Sequence, residues 1–224
     1  TWAVAIIAPA LGVIADYKPV KMSWLRILTY VGAGSTFLLG FDFLAGDGNE
    51  WIWLLIFYFI ANIGLNAAGV FYNALLPHLG KDEEMDSISN RAYAYGYLGG
   101  GLLLVVHLGL VLGIGGDAVI RFCLASSGVW WFGFALFTFK YVPEPPMEND
   151  KDVPTVKEAY AQVWQTLKEY DKFRTLFTYM LAYFFFIDAI NTVWAVGPIF
   201  GAVVLGVTTT CLLYTSDAAD EKVR

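Results

Sequence analysis

Charged residues are scarce in this 224-residue sequence, which is 58% hydrophobic and only 15% Asp, Glu, Lys and Arg. That balance excludes an ordinary soluble domain and is typical of a polytopic membrane protein. The net charge of -6 arises in loops and tails rather than in the apolar segments. It therefore indicates neither a nucleic-acid partner nor an acidic one.

Cysteines and catalytic motifs are also rare. The two cysteines, Cys123 and Cys211, lie in apolar or irregular sequence without metal-ligand spacing, so they predict neither a disulfide framework nor a zinc site. The sequence has no H-E-x-x-H motif, no glycine-rich phosphate loop and no recognisable nucleophile with its base. We therefore expect no enzyme activity, no metal and no cofactor.

Long apolar runs separated by short polar turns predict about six transmembrane helices and an all-α, polytopic membrane helix bundle. The first run ends at about Ala15, and the others cover roughly 24–45, 51–76, 92–113, 119–142 and 176–200.

A long polar segment, residues 143–174, separates the last two spans. Its first half is rich in proline and acidic residues, which predicts an extended linker. In its second half, Thr155 and Glu158 form a capping box ahead of an amphipathic pattern. We expect this helix to lie along the membrane surface or against the bundle.

Lysine and arginine are distributed unevenly among the loops. They concentrate in 16–26, 77–91 and 140–174, whereas the alternate loops contribute only Arg121. The positive-inside rule therefore places those three loops in the cytoplasm.

Three asparagines form a polar stripe in the third span. Asn62, Asn66 and Asn73 are spaced at i, i+4 and i+11, with Gly69 between them at i+7, so all four share one narrow helix face. Asn62 and Asn66 lie at mid-depth, where their amides offer donors and acceptors to a small solute in a cavity. The alternative is hydrogen bonding between helices, worth about 0.6 kcal/mol per pair.

Asp188 lies near the middle of the last predicted span. An ionised carboxylate there costs on the order of 3 kcal/mol, so a neutral carboxyl that binds and releases a proton during transport is one interpretation. The other is an aspartic acid that pins helix packing through Asn191, three residues on.

The remaining polar and small residues of the spans have simpler interpretations. His107, alone among Leu and Val, is expected to be a neutral packing residue, and Asp42 is expected to reach water near the outer end of its span. Gly96 and Gly100 form a G-x-x-x-G, which favours close approach of a neighbouring helix.

The arrangement of a helix group, a cytoplasmic loop and a further helix is typical of a two-halved secondary transporter. The segment GVIADYKPVK resembles the loop between the second and third helices of the major facilitator superfamily, through Gly12, Asp16 and Lys21. The resemblance implies that this loop is a cytoplasmic gate. Asp16 could pair there with Arg91 or cap the next helix.

Three further stretches, FYNALLPHL (71–79), GYLGGGLLL (96–104) and FFIDAINTVWA (185–195), resemble bacterial relatives of the autophagy-linked vacuolar amino-acid effluxers. The resemblance implies a partial major-facilitator fold in which 1–142 holds helices two to six of twelve and helix one is missing. It makes 175–210 the first helix of the other half, and 211–224 resembles a non-native tail.

The same resemblance implies a carrier of small solutes, with amino acids as substrate, in the bacterial inner membrane. The protein's partners would then be the substrate, the lipid bilayer and protons. Two alternatives remain open: a carrier of sugars or other solutes in the same superfamily, and a membrane scaffold subunit without transport.

Overall fold

The computed structural model describes residue 12 and residues 20–145, 155–169, 172, 174–204 and 206. Within these residues the regular structure is all helical, which confirms the predicted fold class. The described residues from Lys21 onward form six α-helices: α1 (Lys21–Leu38), α2 (Glu50–Leu75), α3 (Met85–Gly113), α4 (Asp117–Tyr141), α5 (Val156–Lys168) and α6 (Arg174–Val203). Short 3₁₀ segments cover Leu39–Ala45, Leu76–His78 and Asp82–Glu84.

Five stretches of the described residues are long and apolar enough to cross a membrane. They are Lys21–Ala45, Glu50–His78, Met85–Gly113, Asp117–Tyr141 and Arg174–Val193. These stretches match the second to sixth predicted spans, and the first predicted span falls outside the described residues apart from Gly12, which is helical. The protein is therefore a membrane helix bundle.

The chain divides into two compact units, Thr1–Val163 and Trp164–Arg224. The boundary falls inside the polar segment 143–174 that was predicted as a linker. Helices α1 to α4 belong to the first unit, and α6 belongs to the second.

Glycines bring α1 close to its two neighbours. A Cβ atom added at Gly64 of α2 would lie 2.7 Å from the Cα of Gly32 in α1. On the other side, a Cβ atom at Gly128 of α4 would lie 2.7 Å from the carbonyl oxygen of Ala33. Because no side chain intervenes, the backbones can approach closely, as at other membrane helix interfaces. Helix α1 thus packs between α2 and α4.

A hydrophobic cluster joins one end of these three helices. Phe71 of α2 is 1% exposed, and its ring stacks on Trp24 of α1 with centroids 6.3 Å apart. Phe139 and Val142, at the end of α4, pack against the cluster. Its buried members are Met22, Leu25, Ala68, Phe71 and Leu75. The orientation predicted from the loops makes this the cytoplasmic end.

At the other end of α1 the helix tightens and kinks. Phe41 has φ -115° and ψ 28°, outside the helical region. The indole Nε1 of Trp53 in α2 donates a 2.7 Å hydrogen bond to the carbonyl oxygen of Leu38. A carbonyl near the kink is therefore satisfied by the neighbouring helix instead of being left unpaired in the membrane.

Helix α3 begins earlier than predicted. The sequence placed a polar hairpin up to Arg91 and a span from Ala92, whereas the helix starts at Met85 and contains Arg91. The reason is that hydropathy shows only which residues lie inside the membrane. A helix can begin in water, before its sequence becomes apolar. Asp86 in its first turn favours that start through the helix dipole.

The capping box before α5 is confirmed. The backbone N–H of Thr155 donates to Glu158 Oε2 at 2.7 Å, and the N–H of Glu158 lies 3.4 Å from Thr155 Oγ1. Each residue thus satisfies the other's backbone donor at the helix start.

Candidate functional site

The asparagine stripe occupies one face of α2. Asn62, Asn66, Gly69 and Asn73 lie within about 60° of one another around the axis, since each residue advances about 100°. Asn62 is half-buried, and Asn66 and Asn73 are exposed. The buried residues of α2, which lie on the opposite side, are Ala61, Gly64, Ala67, Ala68, Phe71 and Leu75. The stripe therefore faces away from α1.

Asn62 and Asn66 are joined by hydrogen bonds. The side-chain amide of Asn66 donates to the carbonyl oxygen of Asn62 at 2.7 Å and to its Oδ1 at 3.0 Å. No bond to another described residue involves the Asn62 amide nitrogen or the Asn66 amide oxygen. The pair thus presents one donor group and one acceptor group side by side on an otherwise apolar helix.

Asp188 and Asn191 lie one turn apart on α6, and both are exposed within the second unit. Among the described residues no hydrogen bond joins them, so the local pairing considered as an alternative is not formed there. A carboxyl and an amide at i and i+3 share one helix face. That face carries an acid inside the span Arg174–Val193.

The structure covers the predicted cytoplasmic gate only in part. Gly12 is helical, and Asp16 lies outside the described residues, so its pairing with Arg91 stays a prediction. Arg91 is exposed on α3. Lys21 is the first residue of α1 and is 5% exposed, with its Nζ 3.4 Å from Nε2 of His78.

Glu144, which the sequence placed in the linker, caps α1. Its Oε2 accepts a 2.8 Å hydrogen bond from the backbone N–H of Met22, while Val20 provides no side-chain cap. Its other oxygen is buried without a hydrogen-bond partner among the described residues. The sequence feature that could have predicted this cap is an acidic residue directly after the apolar run of α4. That residue lies at the end of the bundle where α1 begins.

Asp42 pairs with Arg121, an interaction that the sequence did not predict. Arg121 Nε donates to Asp42 Oδ1 at 2.5 Å, and the side chain of Asp42 is only 14% exposed. The reason is that α1 packs on α4 and brings the two outer ends together. The sequence feature that could have predicted the pair is one acidic residue, Asp42, and one arginine, Arg121, near the ends of two different spans.

The predicted helix contact at Gly96 and Gly100 is not formed by the described residues. A Cβ atom at either glycine would find nothing within 4 Å. Instead both glycines line a cavity of about 600 Å³ between α3 and the other helices, which also contacts Gly69. A neighbouring cavity of about 540 Å³ is lined by Asn73, at one end of the stripe. The end of the stripe formed by Gly69 and Asn73 therefore borders open space, whereas Asn62 and Asn66 line neither cavity.

Comparison with known proteins identifies the family. Residues 1–216 match the family model described as vacuole effluxer Atg22 like. The chain belongs to this family. The resemblance expected from the sequence is thereby confirmed.

Two relatives show the range of the family. The chain is 28% identical over 220 residues to the uncharacterized MFS-type transporter YxiO of Bacillus subtilis, covering 95% of this chain and 50% of the relative. It is 27% identical over 143 residues to autophagy-related protein 22-1 of Aspergillus clavatus, covering 56% of this chain and 23% of the relative. The chain thus spans about half the length of the bacterial relative. It spans less than a quarter of the fungal one. No solved structure matches it.

Proposed function

We propose that the chain is part of a secondary active transporter that moves a small solute by alternating access. The observation that carries this proposal is the paired Asn62 and Asn66 on the face of α2 that points away from α1. In a membrane helix, such amides require partners or water. A solute path supplies both, and the similarity to the bacterial relative, an MFS-type transporter, supports the same function.

The substrate we propose is an amino acid. The Asn62 amide nitrogen and the Asn66 amide oxygen have capacity left for a carboxylate and an ammonium group respectively. The family description as effluxers is consistent with movement of small solutes. In this proposal Asp188 is the acid that exchanges the coupling proton, and Asn191 lies beside it on the same face of α6.

Uptake by the full-length protein in liposomes tests the proposal. A labelled amino-acid mixture is supplied with and without an imposed pH gradient. Asn66→Ala is expected to raise KM roughly 10- to 150-fold, since a hydrogen bond to a charged group contributes about 1.5–3 kcal/mol and each 1.4 kcal/mol is a factor of ten. Thr36→Val is the matched control, because the Thr36 hydroxyl is satisfied within α1 by the carbonyl oxygen of Gly32 at 2.9 Å.

The proton arm uses a second pair of variants. Asp188→Asn is expected to remove the effect of the pH gradient while the protein still inserts. Asp117→Asn, at the first turn of α4, is expected to keep that effect. If no amino acid is taken up by correctly inserted protein, sugars are tested next. The scaffold alternative is favoured if neither class of solute is taken up and if Asp188→Asn inserts as well as the wild type.

A further inference from the structure

A polar contact links α3 to α4 inside the membrane. His107 of α3 is half-buried, and its Nε2 lies 2.9 Å from Oγ of Ser126 in α4. Ser126 Oγ in turn lies 3.1 Å from the carbonyl oxygen of Cys123, to which it donates. The contact is therefore a short chain of donors and acceptors that runs from the imidazole to the α4 backbone.

The direction of this chain determines which nitrogen of His107 can take a proton. When the Ser126 hydroxyl donates to Cys123, its lone pairs face the imidazole, and Nε2 must carry the hydrogen. Nδ1 then holds the lone pair. No bond to a described residue occupies Nδ1. A second proton would bind there, and the Nε2–H bond to Ser126 would become charge-assisted.

The cavity beside His107 favours reversible binding of a proton by this side chain. The residue lines a cavity of about 750 Å³, in which Ser126 and Trp130 carry the other side-chain hydrogen-bonding groups. Aromatic side chains form much of the wall, and their ring faces attract cations. They are Phe37, Phe41, Phe122, Trp130, Phe134 and Phe137.

No charged side chain of the described residues lines this cavity. Arg121 precedes it on α4, and its charge is compensated by Asp42 in the 3₁₀ segment after α1. Cys123 is the other titratable group on this stretch of α4, and α1 contributes only Phe37. The charge of His107 can therefore change without breaking an ion pair.

We propose that His107 is a second proton-binding site of this transporter, which takes a proton at Nδ1 while Nε2 donates to Ser126. Binding of the proton strengthens the link between α3 and α4, and its release weakens that link. The link to transport rests on the proposed function, but the binding of a proton by His107 does not.

Uptake measured between about pH 5 and pH 8, where histidine changes charge, tests the role in transport. His107→Gln is expected to remove one step from the pH profile. Ser126→Ala keeps the histidine but removes its acceptor, so the pH profile of uptake is expected to differ from that of the wild type. Ser127→Ala is the matched control, since Ser127 bonds to the same Cys123 carbonyl at 2.9 Å and does not contact His107. An unchanged profile in both His107→Gln and Ser126→Ala overturns the role.

Histidine ¹⁵N NMR of the full-length protein in lipid nanodiscs tests proton binding without any transport. The resonance that His107→Gln removes should change with pH across the same range, and this change should differ in Ser126→Ala. A resonance that stays neutral down to about pH 5 overturns the proposal. Titration in a protein that takes up no solute would confirm this site and count against the proposed function alone.

Discussion

Asp42, in the 3₁₀ segment that follows α1, and Arg121 of α4 form an ion pair that links these two elements. The carboxylate receives hydrogen bonds from Nε at 2.5 Å and from Nη2 at 3.4 Å. The guanidinium also lies 5.7 Å from the ring centroid of Phe43. Because two charges near the end of a span compensate each other, neither has to be solvated alone.

Removing one partner of this pair is expected to destabilise the protein. Asp42→Ala leaves Arg121 uncompensated and should lower the free energy of unfolding, by less than the loss of one partner of a fully buried pair because Arg121 is partly solvated. The double variant Asp42→Ala with Arg121→Leu should recover part of that loss. The measurement is unfolding of the full-length protein in detergent, followed by tryptophan fluorescence.

The control for that experiment is the exposed pair of Lys172 and Glu169, 3.8 Å apart. Glu169→Ala should change stability by less than about 0.5 kcal/mol. A wild-type midpoint for Asp42→Ala would show that the ion pair does not hold α1 on α4.

The crossing of α1 and α2 at Gly32 and Gly64 should tolerate no added side chain. A Cβ atom at Gly64 meets the Cα of Gly32 at 2.7 Å, so Gly64→Ala forces the helices apart and should cost about 1–3 kcal/mol. Gly69→Ala lies on the opposite face of α2 with nothing within 4 Å. It should remain within about 0.5 kcal/mol of wild type in the same assay. Equal stability of the two variants would contradict the close crossing.

The positions of the helices could be predicted from the sequence more accurately than the contacts between them. Runs of apolar residues closed by Pro77 or by the glycine turn at Gly46 define spans locally, so the five described spans were found. The start of α3 was missed because its first turns, around Asp86 and Arg91, are polar although they are helical. Apolar composition identifies the part of a helix that lies in the membrane, whereas hydrogen bonding and capping determine where the helix begins.

Contacts between distant segments could not be predicted in the same way. Asp42 and Arg121 are 79 residues apart, and Met22 and Glu144 are 122 apart. Each pairing depends on α1 packing against α4, which no local pattern encodes. The polar stripe of Asn62 and Asn66 was predictable because helical spacing alone places both residues on one face.

Glu144 should stabilise the first turn of α1. Glu144→Ala removes the acceptor for the Met22 N–H and should cost about 0.5–2 kcal/mol, the usual effect of losing a helix cap. Glu144→Gln keeps an oxygen acceptor and should lose less. Hydrogen exchange at the Met22 amide provides the local measurement, and Glu83→Ala, at an exposed position, is the control. Unchanged protection of this amide in Glu144→Ala would rule out the cap.

Glu158 should make the start of α5 sensitive to acid. Hydrogen bonds from the backbone N–H and the hydroxyl of Thr155 lower the pKa of the Glu158 carboxyl below its ordinary value of 4.5. A carboxyl with a lowered folded-state pKa stabilises the helix start above that ordinary value. The stabilisation is lost as the pH falls through the folded-state pKa. Hydrogen exchange of the first α5 amides, followed from neutral pH to about pH 3 and corrected for intrinsic rates, should therefore show loss of protection below pH 4.5. Glu158→Gln should lack this pH dependence because its amide does not titrate, and the same acid transition in that variant would assign the effect to another group.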